Sequence, residues 1–463
     1  MTIELKHASR VPVVDLVKAL AAQVIVWHHL VLYGPMARAC RPWFEQLFDW
    51  LIRDGRAAVY AFLVVGGYLA AGKLLPRPGR PVVIAGAGDF LTLVIGRYRR
   101  LAPAYLVALV VAILAAAIAR HWMADADTPL APGAGQLVAH VLLLQDLLGY
   151  PALSAGIWYV AIEIQLYLLL AAIAWVAHAA GRSRREAAGS GDLGRSGAAR
   201  RSGAVRRSGD ARRSGDARLS GDARPSADAR RSGDARRSGD ARRSGDEVGR
   251  SGDEAGIRAA VIASSLVLVL ALTSWVVLSR FEGLDRYAIY FFGAYGLGVI
   301  ARWSREVATA GDGDRLHAER LHPARSEWIA VVMAIGGVAL LADPDSREFV
   351  AVAVALLLAL APRSGWGWLA SPAVAALSRR SYALFLIHYP ICLLGNVVFA
   401  QLGSVSVAVA VAGLVATWLA CNLASAVLYR WVESAGGVRR EAGAPARSWD
   451  GRGERRAGRL VSK

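Results

Sequence analysis

The sequence predicts an all-α fold, a polytopic bundle of about ten membrane-crossing helices, and three observations predict it. Hydrophobic residues make up 55% of 463 residues and charged residues only 19%. Apolar runs near the 20 residues needed to cross a hydrocarbon core recur along the chain. A long hydrophilic stretch in the middle pulls the averages down, so the mean hydropathy of +0.37 understates how apolar the remainder is.

Taken in order, the spans are predicted near 13–33, 56–75, 101–120, 157–179, 258–279, 287–302, 327–342, 348–362, 382–400 and 405–431. The first starts late and has no small-residue cleavage site after it, which reads as a retained helix and not a signal peptide. The patch from Leu137 to Leu148 is too short to cross, so it lies at the interface or re-enters. Cys40, Cys392 and Cys421 are far apart, with no metal-ligand spacing, and neither a metal site nor redox chemistry is expected.

Four regions follow: 1–181 and 257–433 as the two halves of the membrane domain, 182–256 between them, and a basic tail over 434–463. The middle region repeats RSGDAR with variants and has almost no bulky apolar residues. It cannot repay the entropy of ordering and reads as a disordered linker, or else as a tether for anionic lipid or nucleic acid. The net charge of +18 sits mostly there and in the loops and tail, so it reports topology and no nucleic-acid partner is expected.

Alternating the loops gathers Lys6, Arg10, Lys73, Arg97, Arg99, Arg100, Arg379 and Arg380 on one side with the linker and tail. The other side holds Arg38, Arg41, Arg53 and Arg56, then only Arg120, Arg280, Arg286 and Arg347. The basic side is expected to be cytoplasmic and to carry both termini.

Function must come from polar residues in or beside the spans, because such groups are expensive in a bilayer. Lys18, His28 and His29 interrupt the first span. Lys18 and His29 are eleven residues apart, so they share a helix face about 16 Å apart along the axis, while His28 points elsewhere. Arg97 and Arg100 open the third span and read either as a positive-inside anchor or as two forks for phosphate. Tyr159, Glu163 and Tyr167 are spaced by four on the fourth span and can hydrogen-bond in sequence, with an imidazole the expected partner of Glu163. His388 lies two turns into the ninth span, and Pro390 beside it frees a carbonyl that it could engage.

In this order these segments resemble the membrane-bound acyltransferase-3 family. DLVKALAAQVIVWHH is similar to its first-helix motif, an acid, a cation three residues on and a catalytic histidine, at Asp15, Lys18 and His29, with lysine where the family has arginine. FLVVGGYL resembles its second-helix motif, with Gly66 where serine is usual. RYRRLAP matches at Arg97, Arg100 and Pro103, WYVAIEIQLY at Trp158, Glu163 and Tyr167, SYALFLIHYP at Ser381, Tyr382, His388 and Pro390, and YRWVE resembles the closing motif.

The resemblance implies a multi-pass enzyme of the bacterial inner membrane that moves an acyl group, usually acetyl, from cytoplasmic acyl-CoA to a carbohydrate or glycolipid hydroxyl on the outer side. It implies His29 as general base with Glu163 orienting it, Lys18, Arg97 and Arg100 on acyl-CoA, and Asp15, Trp158, Tyr167 and His388 in support. Acyl-CoA is then a co-substrate and no metal is needed. A transporter or flippase for a polar lipid or saccharide, and an assembly subunit in which His and Glu only pack, are the other two classes the residues allow.

Overall fold

A computed structural model describes residues 11–75, 84, 86–123, 125, 128–180, 256–281, 283–309, 325–342, 345–362, 371–403 and 406–434. Nearly all of the repeat linker and of the basic tail lies outside these residues. Among the described residues the regular structure is helical, and a helix stands at each of the ten expected positions. They are α1 (Pro12–Leu32), α2 (Ala58–Leu74), α3 (Ala87–Trp122), α4 (Ile157–Ala180), α5 (Gly256–Arg280), α6 (Phe292–Thr309), α7 (Arg325–Ala342), α8 (Ser346–Leu360), α9 (Pro372–Ala400) and α10 (Val407–Leu428).

Seven of these are long and apolar enough to cross a membrane: α1, α2 with the short helix before it, α3, α4, α5, α9 and α10 with its terminal π-turn. The sequence predicts ten. The other three fall short for different reasons: α8 has only 15 residues, α7 is an 18-residue helix whose apolar part is shorter, and α6 carries Arg302, Arg305 and Glu306.

The third span departs most from expectation. Its helix begins at Ala87 and not near residue 101, and it runs for 36 residues, about 54 Å, against a hydrocarbon core of about 30 Å. Asp89 accepts from the backbone N–H of Gly86 at 3.2 Å and caps the start, so the polar stretch carrying Arg97 to Arg100 is helix and not loop. Neither arginine stands at a helix start.

Packing divides around α1. On one side α2 crosses α6, which in turn carries α7 and α8; on the other α9 packs on α3 and α10, and α1 touches both α2 and α9. The α2–α6 crossing is tight because glycine meets backbone on both helices: a side chain at Gly67 would strike the Tyr295 carbonyl, and one at Gly298 the Val64 carbonyl. Asp15 adds a polar tie, accepting from Ser378 Oγ of α9 at 2.5 Å.

The segment between α3 and α4 re-enters the bundle. Ala134–Val141 is a short helix, and Tyr98 Oη donates to the Val141 carbonyl at 2.7 Å. Leu143 follows in the left-handed region at φ 58°, a conformation that costs a leucine energy, and packs into one cluster with Leu101, Tyr105, Ile157 and Leu386. His140 pins the return, its Nε2 accepting from the Leu153 N–H at 3.2 Å. The chain reaches Gly156 against α9, where a side chain would strike the Phe385 carbonyl. Consequently α4 begins beside the middle of α9 and not at its end.

Candidate active site

His29 and His388 meet at the centre of this packing. Both are buried, and His388 Nε2 lies 3.1 Å from His29 Nδ1. The surrounding carbonyls assign the protons, since a carbonyl only accepts. His388 Nδ1 donates to Leu384 O at 3.2 Å, so its Nε2 presents a lone pair; His29 Nδ1 lies 2.9 Å from Ile25 O and carries the proton shared between that carbonyl and His388. His29 Nε2 is then the basic nitrogen of the pair. The carbonyl that holds His388 is Leu384's and not Leu386's, which is the one that Pro390, four residues on, leaves without its usual helix donor.

His28 is separate, as its different helix face requires. Its Nδ1 donates to Leu51 O at 2.7 Å in the first loop, and the ring packs against Gly55. Tyr33 stacks on His29 with ring centres 5.8 Å apart.

Glu163 is engaged by Arg97, which donates to its Oε1 in an ion pair, and not by an imidazole. The reason is reach: Arg97 projects inward from α3 with its guanidinium 4.7 Å from the centre of the Tyr167 ring. Tyr159 does not continue a hydrogen-bonded row with Glu163 and Tyr167. It packs instead against Phe62 and Phe385, with ring centres 6.1 and 5.0 Å away. Glu163 lies seven residues beyond Gly156, which places the ion pair about 10 Å from the histidines toward the Lys18 end.

That end is strongly basic. Lys73 at the end of α2 is within electrostatic reach of Arg97 and Arg100, and Glu433 is within reach of Lys18 and Arg100. Lys18 and Arg100 thus stand near Glu433, which follows α10, while Lys73 stands near Arg97 and Arg100. Lys73 was not singled out as a site residue by the sequence, and Glu433 only as the last residue of YRWVE. A spacing signal existed for neither, because each lies on a different helix from its partners.

At the opposite end a cavity of about 620 Å³ opens beside the histidines. Arg56, Asp146, Trp158, Arg286 and Arg347 line it, together with Tyr60 and Tyr290. Trp158 packs on Phe291 with ring centres 5.8 Å apart, which fixes one aromatic wall. Arg56 follows Gly55, whose Cβ position is 3.0 Å from the His28 side chain, and Trp158 stands two residues after Gly156, whose Cβ position is 3.3 Å from His388 Cε1. Two of its lining residues thus lie one and two positions from the glycines that approach His28 and His388. Among the described residues no three of His, Cys, Asp and Glu converge on a metal-sized site.

Comparison with known proteins gives one match. No curated protein and no solved structure matches the chain. A family model described as an acyltransferase domain, that of the acyltransferase-3 family, matches residues 11–185. This range contains the first four helices, with His29, Arg97, Arg100 and Glu163 among them. Over that range, less than half of the chain, the sequence is similar to the acyltransferase-3 family, and the long apolar helices fit a multi-pass membrane protein.

Proposed function

We propose that the protein transfers an acyl group, acetyl in the first instance, from cytoplasmic acyl-CoA to a hydroxyl of a cell-envelope or secreted carbohydrate, working in a bacterial inner membrane with both termini cytoplasmic. The observation that carries this is the His29–His388 contact at 3.1 Å, which leaves one imidazole nitrogen basic between a basic cluster at one end and an aromatic, arginine-lined cavity at the other.

The nucleotide end of the donor rests at the Lys18 end, with Arg100 and Lys73 on its phosphates. The pantetheine arm runs past the Arg97–Glu163 pair toward His29. The acceptor oxygen attacks the thioester carbonyl while His29 Nε2 takes the hydroxyl proton; the tetrahedral intermediate expels the CoA thiolate, and the same proton returns to the sulfur. His388 holds His29 in the tautomer this needs and is a positioning residue. Glu163 acts through Arg97, keeping its guanidinium inside the path.

The test is acyl transfer from radiolabelled acetyl-CoA in membranes containing wild type or His29→Ala, with label followed into glycan and lipid fractions. Label that depends on His29 is the expected result. Flux of an unmodified saccharide with no covalent label would replace this reading with transport.

A further inference from the structure

The cavity beside the histidines has a composition that an acceptor of uncharged sugars does not need. Its arginines differ in how they are held. Arg347 is paired with Asp345 at 2.6 Å, whereas neither Arg56 nor Arg286 forms a direct ion pair among the described residues, although Asp146 lies within electrostatic reach of Arg286. Both reach the cavity from loop or helix-start positions, Arg56 just before α2 and Arg286 between α5 and α6, and the aromatic side chains Tyr60, Trp158 and Tyr290 line the same cavity. Guanidinium groups grip a carboxylate or phosphate with two parallel N–H bonds, and aromatic faces cover the apolar face of a sugar ring.

Resting on the acyltransferase reading above, we propose that this cavity is the acceptor site and that it selects an anionic sugar, one whose carboxylate or phosphate is held by Arg56 and Arg286 while a hydroxyl is presented to His29. Gly55 and Gly156 bring the chain close to His28 and His388, where a side chain on either glycine would meet the ring, and Arg56 and Trp158, one and two residues on, line the cavity. An acceptor anchored by its charge in the cavity therefore has its ring within one residue layer of the imidazoles. No transfer step is added to the one already described; the anion supplies orientation only.

Binding is measured on the purified full chain in detergent without acyl donor, using the galacturonic acid tetramer against its methyl ester, and mannose 6-phosphate against mannose. The acid tetramer is expected to bind at least tenfold tighter than its ester; the phosphate pair distinguishes phosphate from carboxylate as the anion. Arg56→Gln and Arg286→Gln each remove most of that preference, Arg286→Lys restores part of it, and Arg41→Gln, an exposed arginine paired with Asp49 on the same side, leaves it unchanged. Equal binding of acid and ester by wild type, or equal loss with Arg41→Gln, overturns the proposal. If Arg56→Gln does not fold, Arg286→Gln and the acid-to-ester ratio of wild type decide alone. Because no donor is present, His29→Ala keeps this preference, so failure of the acyltransferase reading and failure of the anionic-sugar reading are separable.

Discussion

The Lys18 end of the path and the cavity beside the histidines are both rich in cations, yet they are assembled by opposite means. Lys18 and Lys73 project from α1 and α2, which pack on each other, and Arg97 and Arg100 from α3, which packs on α9, so their positions are fixed by the bundle itself. Arg56, Asp146 and Arg286 come from loops and a helix start, and Arg347 from the first turn of α8. Helix-borne groups suit a ligand that is the same in every turnover, such as a nucleotide thioester. Loop-borne groups suit one that differs between relatives, because loops vary without disturbing the packing that holds them.

The histidine layer separates these regions, and breaking it gives the largest effect. His29→Ala is expected to lower acyl transfer by about 10²–10⁴-fold, the range of a lost general base. His28→Ala, with its ring turned to Leu51 O, costs only a few-fold on the same assay. Equal losses would mean that the two faces of α1 are not distinct.

Next is the ion pair below that layer. Arg97→Gln leaves Glu163 buried without its partner and is expected to cost about 3 kcal/mol or more of stability, while Arg97→Gln with Glu163→Gln recovers much of it. Thermal midpoints of the two variants in detergent, set against wild type, check this; no recovery in the double variant would show that the pair does not bear on stability.

The donor end sharpens the comparison directly. Arg100→Gln and Lys73→Gln should each raise the KM for acyl-CoA by about tenfold, a charged hydrogen bond's worth, with little change in kcat or in acceptor KM. A matching change in acceptor KM would erase the distinction between the two ends.

The smallest effect comes from Asp146. Burial lifts its carboxyl from the ordinary 3.8 to about 6, with Arg286 and the Gln145 amide pulling the other way. Arg286, Asp285, Arg56, Arg347, Tyr60, Tyr105, Tyr150 and Tyr290 are the other ionisable groups around it. Its proton stays on below about pH 6, which removes a negative charge from the cavity. Affinity for the galacturonic acid tetramer should therefore rise about two- to fivefold as pH falls from 7.5 to 5, measured by titration, and Asp146→Asn should flatten the profile at the higher affinity. A fall in affinity over that range would reverse the sign and count against an anionic ligand. The same shift bears on stability. The folded state holds this proton up to about pH 6 while the unfolded chain loses it near 3.8, so the contribution favours folding at low pH and is lost as pH rises through 6.

Legibility in the sequence followed the same division. The helix-borne residues could be found because α-helical spacing is a local signal: eleven residues predict that Lys18 and His29 share a face, and His28 is indeed turned to a different partner. Partners across helices could not be found that way. Glu163 had an arginine and not an imidazole opposite it, and Lys73 and Glu433 join the basic end through packing alone. The cavity was illegible for a stronger reason, since its residues run from Arg56 to Arg347 with no common spacing. The patch from Leu137 to Leu148 was legible in kind, as an apolar stretch too short to cross, but its depth depends on Gly156 admitting the α9 backbone.

The contact between His29 and His388 also has a consequence in time. The two residues are separated by 359 positions, and at about 5–20 residues per second a ribosome takes roughly 20–70 s to travel between them. Throughout that interval α1 is already made while the imidazole that sets its tautomer does not yet exist. A nascent or truncated chain that ends before α9 carries the matched family segment and His29 but not His388, so on the proposed mechanism competence to react arrives only as the last helices join the bundle.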